Sequence, residues 1–218
     1  MKHQLLSLTV AALAAFFTFT PVILPAQDNK EEASEEDAAP DEAELKRRLE
    51  EWKDKAKADE KENNATIRKM LKVFKPLAGE WTGTEKVEHK DDAFKSLDKE
   101  WKDTWKGFYT VDGRYFEMTG QTEGEESTSY RWICTWDVSE ETYKAWYFGE
   151  ASQTLYTGEL SGDGKHVIWT VENEENDSQT QFSMIPDGDR VKCSGTDKLR
   201  GELWSRQSSS YTRKKVEL

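Results

Sequence analysis

Two hydrophobic periodicities divide this chain, and they meet at Leu77-Ala78-Gly79-Glu80-Trp81-Thr82-Gly83-Thr84. Upstream, from residue 41, apolar positions recur at helical intervals. Leu45, Leu49, Trp52 and Ala56 form one narrow stripe among charged residues. Asn63-Asn64 interrupts that stripe. Ile67, Met70, Leu71 and Phe74 then share one side of a second helical segment, which Pro76 ends. Residues 45–75 therefore read as helical segments packing on, or leading into, the strand-rich part of the chain. Beyond Gly79 the period falls to two. Tyr130, Trp132, Cys134 and Trp136 fall on one face, while Ser129, Arg131, Thr135 and Asp137 point the other way.

The spacing predicts strands over 79–87, 99–111, 114–122, 129–137, 143–150, 154–160, 166–172, 179–185, 190–196 and 203–214. Residues 91–98 read as a loop with a helical turn. Asp112-Gly113, Asp187-Gly188 and Ser161-Gly162-Asp163-Gly164 are turn sequences suited to hairpins. No helix-length segment separates the strands, which argues against a parallel sheet. The expected fold is all-β, an antiparallel up-and-down barrel of about ten strands over 77–215, preceded by helical segments. A sandwich is the alternative. Closure is favoured because it removes exposed strand edges.

Residues 1–26 have the three parts of a secretory signal: Lys2, an apolar run over 5–19, and Leu24-Pro25-Ala26 at a cleavage position. The apolar stretch is nearly long enough to anchor in a bilayer if uncleaved. Its hydroxyl residues and prolines favour cleavage, which leaves no membrane span and an exported protein, periplasmic or extracellular. No Cys follows the run, so lipid attachment there is not expected. Residues 27–44 are acidic and free of aromatics, the composition of a disordered tether.

The formal charge of −12 disfavours nucleic acid and anionic membrane as partners. Nine tryptophans matter more, because eight of them lie from Trp81 onward and place the core there.

Gly79-Glu80-Trp81 resembles the Gly-x-Trp step on the first strand of the calycin superfamily, the lipocalins and their bacterial relatives. In that superfamily a basic residue of the last strand packs over the Trp. Arg213, in Ser210-Tyr211-Thr212-Arg213, is the matching position. The resemblance implies a cation–π contact at the barrel base, worth about 0.5–2 kcal/mol. Asp112-Gly113-Arg114-Tyr115-Phe116 and the Trp-rich middle strands look more closely like an uncharacterised family of exported bacterial lipocalin-like proteins. The likeness runs over 67–215. Thr196-Asp197-Lys198 only hints at the lipocalin Thr-Asp-Tyr motif. Haem-binding nitrobindin-like barrels use a late axial His, whereas the last His here is His166, so haem is not expected.

Motifs for chemistry are sparse. Gly149-Glu150-Ala151-Ser152 lacks the spacing of a nucleophile elbow. Gly162-Asp163-Gly164-Lys165 lacks the earlier glycine and the following Ser or Thr of a phosphate loop. His89 and His166 are isolated, and Asp187-Gly188-Asp189 offers too few oxygens for calcium. No catalytic, cofactor-binding or metal-binding residue is assigned. A carboxylate pair such as Glu117 with Glu123 can be drawn, but nothing selects it. Cys134 and Cys193 permit a disulfide in an exported chain. Both lie mid-strand on inward faces of strands far apart in order, so two small buried hydrophobes are the alternative.

Trp101, Trp105, Tyr109, Tyr115, Tyr130, Trp132, Trp136, Tyr147 and Trp169 are candidates for the lumen lining. If the lumen is open, they suit a small apolar or aromatic ligand; if it is filled, they are core. Three functions are compatible with this pattern: a non-enzymatic ligand-binding barrel; an envelope interaction protein with a filled barrel and a partner-binding helix over 41–62; and a hydrolase or isomerase using lumen carboxylates.

Overall fold

The computed structural model describes residues 42–124, 127–150 and 152–215. Residues 1–26, read above as a signal, and most of residues 27–44, read as a tether, lie outside them. Residues 46–218 form one compact unit; of the other, residues 1–45, only residues 42–45 are described. Helix α1 (Glu42–Met70) is a single helix with no buried residue. The interruption expected at Asn63-Asn64 does not occur. Asn in a helix costs only about 0.7 kcal/mol against Ala, and its Lys-, Glu- and Ala-rich flanks propagate readily. Asn64 Oδ1 also accepts a bond from Arg114 Nη1 at 3.4 Å. The helix tightens into a 3-10 segment, Leu71–Leu77, which contains Pro76.

The rest of the unit is ten strands: β1 (Gly79–His89), β2 (Lys99–Thr110), β3 (Tyr115–Glu123), β4 (Ser129–Asp137), β5 (Thr142–Phe148), β6 (Gln153–Leu160), β7 (Val167–Asn173), β8 (Ser178–Asp187), β9 (Arg190–Leu199) and β10 (Glu202–Arg213). Each pairs antiparallel with its sequence neighbours, and β1 pairs with β10 to close the ring. The sheet is a closed antiparallel up-and-down barrel. A short 3-10 segment, Asp92–Leu97, bridges β1 and β2, with Asp91 capping it through Ala93 N.

One end of the barrel is plugged. Ile67 and Met70, at the end of α1, pack against the core, while Leu71, Phe74 and Leu77 are buried in it. Phe74 lies face to face with Phe116 and Trp169, at centroid distances of 5.3 and 6.0 Å. Two tyrosines reach up to the plug. Tyr143 donates to the Met70 carbonyl at 3.1 Å and Tyr109 to that of Leu71 at 2.9 Å, satisfying acceptors at a helix end. Trp81 is fully buried here, and its Nε1 donates to the Leu77 carbonyl at 3.0 Å.

Arg213 seals the floor. It pairs with Trp81 across β1 and β10, and its guanidinium carbon lies 4.2 Å from the centroid of the Trp81 ring. Its Nη atoms donate to the carbonyls of Ala78 and Pro76. Gly79 has φ +123°, and a Cβ there would meet Arg213 Nη1 at 2.5 Å. Only glycine fits a left-handed position under a guanidinium.

Candidate functional site

Above the plug the lumen is open. A cavity of about 840 Å³, within the usual size range for a ligand pocket, occupies the half of the barrel remote from α1. Its lining reaches the rim at Lys99, Gly124 and Thr128. Alternation along the strands turns aromatic rings inward. Trp132 packs against Tyr156 and Phe182 at 4.9 and 5.3 Å, and Tyr130 against Tyr147 at 6.0 Å. Trp105 sits at the floor between Trp81 (5.3 Å) and Tyr211 (5.6 Å).

One acidic cluster lies deep among these rings. Asp103, on β2, is buried, and its Oδ2 accepts bonds from Tyr130 Oη and Tyr211 Oη, both at 2.8 Å. Tyr130 stands on β4 and Tyr211 on β10, each two strands away from β2, a span of about 10 Å. Each ring must therefore lie flat over the strand between, and a glycine sits beneath each. Gly83 on β1 pairs with both Asp103 and Tyr211. A Cβ at Gly83 would strike the Ser210 carbonyl and come within 2.7 Å of Tyr211 Cδ1. Gly120 on β3 pairs with Tyr130, and a Cβ there would run into that ring. Two glycines thus let two phenols converge on one carboxylate.

Glu85 lies one inward step along β1 from Gly83 and lines the cavity itself. Burial first, and then the charge of Asp103, raise its carboxyl from 4.5 to about 7, against the lowering influence of the nearby Tyr211 hydroxyl. Burial also pushes the Asp103 carboxyl up, while the two tyrosines and the Thr104 amide pull the other way. Asp103 Oδ1 nevertheless lacks a hydrogen-bond partner, as do the indole nitrogens of Trp101 and Trp105. The Tyr130 and Tyr211 hydroxyls are raised, mainly by burial, and Cys193 is raised to about 12 for the same reason. Glu85 is therefore the cavity group poised to change charge near neutrality.

The structure sorts the candidate lining residues. Trp101, Trp105, Tyr130, Trp132 and Tyr147 line the cavity. Tyr109, Trp136 and Trp169 do not: they belong to the plugged end, where Trp136 packs on Tyr143 at 4.8 Å and Trp169 on Phe74. Tyr115 alternates with the inward Phe116 and Met118, so it belongs to the outer face. Glu117 is also outward, paired with Arg131 and Thr110, and makes no lumen pair with Glu123. Cys134 and Cys193 are free. Strands β4 and β9 are diametrically opposite in the ring, so the lumen itself separates the two thiols.

Sequence reasoning missed Glu85, Asp103, Tyr156, Phe182 and Tyr211. A signal existed for the two carboxylates. In Gly79-x-Trp81-x-Gly83-x-Glu85 and Trp101-x-Asp103-x-Trp105 each acid shares the parity of inward residues. Among the described residues no group of His, Cys, Asp and Glu is arranged to hold a metal, and no helix is long and apolar enough to cross a membrane.

No protein-family model matches the chain, and no curated protein matches it. Solved structures show partial similarity to it. The S-type phycobiliprotein lyase CPES from Guillardia theta is 10% identical with a TM-score of 0.49, over 67% of this chain and 93% of that one. Rv2717c from M. tuberculosis is 15% identical with a TM-score of 0.47, over 67% of this chain and 98% of that one.

Proposed function

We propose that this protein is an exported, non-enzymatic barrel that binds a small, mostly apolar or aromatic ligand, akin to the exported bacterial lipocalin-like proteins. One observation carries the reading: the lumen above the plug is a ring-walled cavity of about 840 Å³ and not a filled core. A wall of Trp, Tyr and Phe supplies large apolar area with few rotamers to freeze, and a few polar groups orient what enters. Export rests on the sequence of residues 1–26 alone.

The test is purification of the full chain without detergent, mass spectrometry of what denaturation releases, and titration with the neutral dye Nile red. Trp101, Trp105 and Trp132 line the cavity, so bound dye quenches indole emission. Unchanged emission at saturating dye, with no small molecule released, refutes the proposal.

A second reading has its own observation. Trp52 on α1 is 66% exposed, with Leu45 and Leu49 also exposed. A partner that covers this stripe gives the helix a docking role alongside the cavity. Replacing Trp52 and Leu49 by Ser then abolishes capture of envelope proteins without altering dye binding; unchanged capture refutes it.

A further inference from the structure

Aromatic rings wall part of the cavity and Thr180, Ser194, Gln207, Ser208 and Ser209 another part; its inner charged groups are carboxylates, and the one lysine among its described lining residues, Lys99, stands at the rim. Glu85 lines the cavity, and Asp103 lies behind it with Tyr130 and Tyr211 bonded to one oxygen. The other Asp103 oxygen is buried and unpartnered. Trp105, buried to 4% exposure in the lining, has an unpartnered Nε1–H, and so does Trp101. A buried carboxylate is costly unless a cation or several donors compensate it. Among the described residues no Lys or Arg pairs with either carboxyl; around them lie the tyrosines, the Thr104 amide and each other.

We infer that the cavity selects a protonated amine on an aromatic body that also carries a hydrogen-bond acceptor. The ammonium sits at Glu85, with the Asp103 charge behind it and ring faces around it; the acceptor meets an indole N–H. This deepens the ligand-binding reading above and rests on it. An anion would enter against two carboxylates, and a neutral ligand would leave Glu85 uncompensated. An ammonium gains both from the carboxylate and from the quadrupoles of the rings. N–H donors distinguish such an amine from a quaternary ammonium, which cannot bond to a carboxylate oxygen.

The site also makes binding depend on pH. The groups facing Glu85 are Asp103 from β2, Tyr211 from β10, Tyr130 from β4, Tyr147 from β5 and Cys193 from β9. The four hydroxyl and thiol groups are all held above their ordinary values and stay neutral at pH 8. At the rim lie Asp98, Lys99 and Glu100, with His89 bonded to Asp98 at 3.1 Å. With Glu85 at about 7, only about 3% of it is ionised at about pH 5.5, and apparent affinity falls with that fraction.

Calorimetric titration of the full chain with three probes of one shape tests the inference: tyramine, its neutral alcohol isostere tyrosol, and 4-hydroxyphenylacetate. At about pH 8 tyramine binds at least about tenfold tighter than tyrosol, and the carboxylate binds weakest. Tyramine affinity drops roughly 30-fold between about pH 8 and about pH 5.5, and tyrosol affinity does not. Glu85→Gln, checked for folding by circular dichroism, flattens the pH dependence and brings tyramine down to the level of tyrosol. The rim histidine is common to both proteins, so their difference isolates Glu85. Tyrosol binding as well as tyramine, or a pH dependence that survives in E85Q, overturns the cation inference and leaves the cavity reading standing. The cation inference is likewise overturned, with the cavity reading intact, if Nile red binds and none of the three probes does. If neither the dye nor any probe binds, the cavity reading itself falls, and the inference with it.

Discussion

Replacing Glu85 by Gln removes a carboxyl that the fold holds in the wrong state for neutral pH. In the unfolded chain this group titrates near 4.5; in the barrel, burial and the Asp103 charge raise it to about 7. The folded state therefore holds its proton more tightly than the unfolded state. The stability this gives is complete below about pH 4.5 and is lost as pH rises through about 7. A shift of that size corresponds to roughly 3 kcal/mol between the two ends of the window. Glutamine keeps the shape and an amide for Tyr211 but cannot ionise. Expected for Glu85→Gln is a stability within about 1 kcal/mol of wild type at about pH 5 and about 2–3 kcal/mol above it at about pH 8. Urea unfolding of both proteins at the two pH values, followed by tryptophan emission, measures the difference. The surface carboxylates Asp98, Asp137 and Asp163, whose values are lowered, act in the opposite sense but cancel between the two proteins. A wild-type-minus-variant difference that is the same at both pH values refutes the burial of Glu85.

Arg213→Lys keeps the charge but loses the stacked fork and one of its two carbonyl bonds; expected is a loss of about 1–3 kcal/mol in urea unfolding at neutral pH. Gly83→Ala drives a Cβ into the backbone carbonyl of Ser210, whereas Gly120→Ala drives it into the Tyr130 ring, so Gly83→Ala is the worse in thermal melts by at least about 1 kcal/mol. Tyr130→Ser frees the space over Gly120, and the melt of Gly120→Ala/Tyr130→Ser is expected to fall short of additivity of the two single losses. Phe74→Ala unplugs the base and costs about 3–5 kcal/mol, read by the same melts. Dithiothreitol leaves the melting temperature unchanged, because Cys134 and Cys193 are free; a drop on reduction indicates a bridge.

Much of the architecture was legible because strand alternation and turn chemistry are local. The ten strands needed only period-two patterning and Gly- or Asp-rich turns to be seen, whereas the Trp81 and Arg213 contact was implied by the resemblance to the calycin pattern. Local reasoning misled where the neighbourhood decides. Asn63-Asn64 looks like a break, but the surrounding helix formers carry the helix through it. Tyr115 looks like the other aromatics, yet one residue of parity puts it outside.

The chain by itself determined the element order, the antiparallel hairpin pattern and the concentration of aromatic rings within it, since each follows from the period of nearby side chains. Only the tertiary structure decided which end is stoppered, which rings face a void, and that Glu85, Asp103, Tyr130 and Tyr211 converge. The last of these are up to 126 residues apart in sequence (85 to 211) and meet because β10 closes on β1. Register across a closed ring, and the two glycines that let the phenols lie flat, are products of pairing between distant strands, which no local pattern encodes.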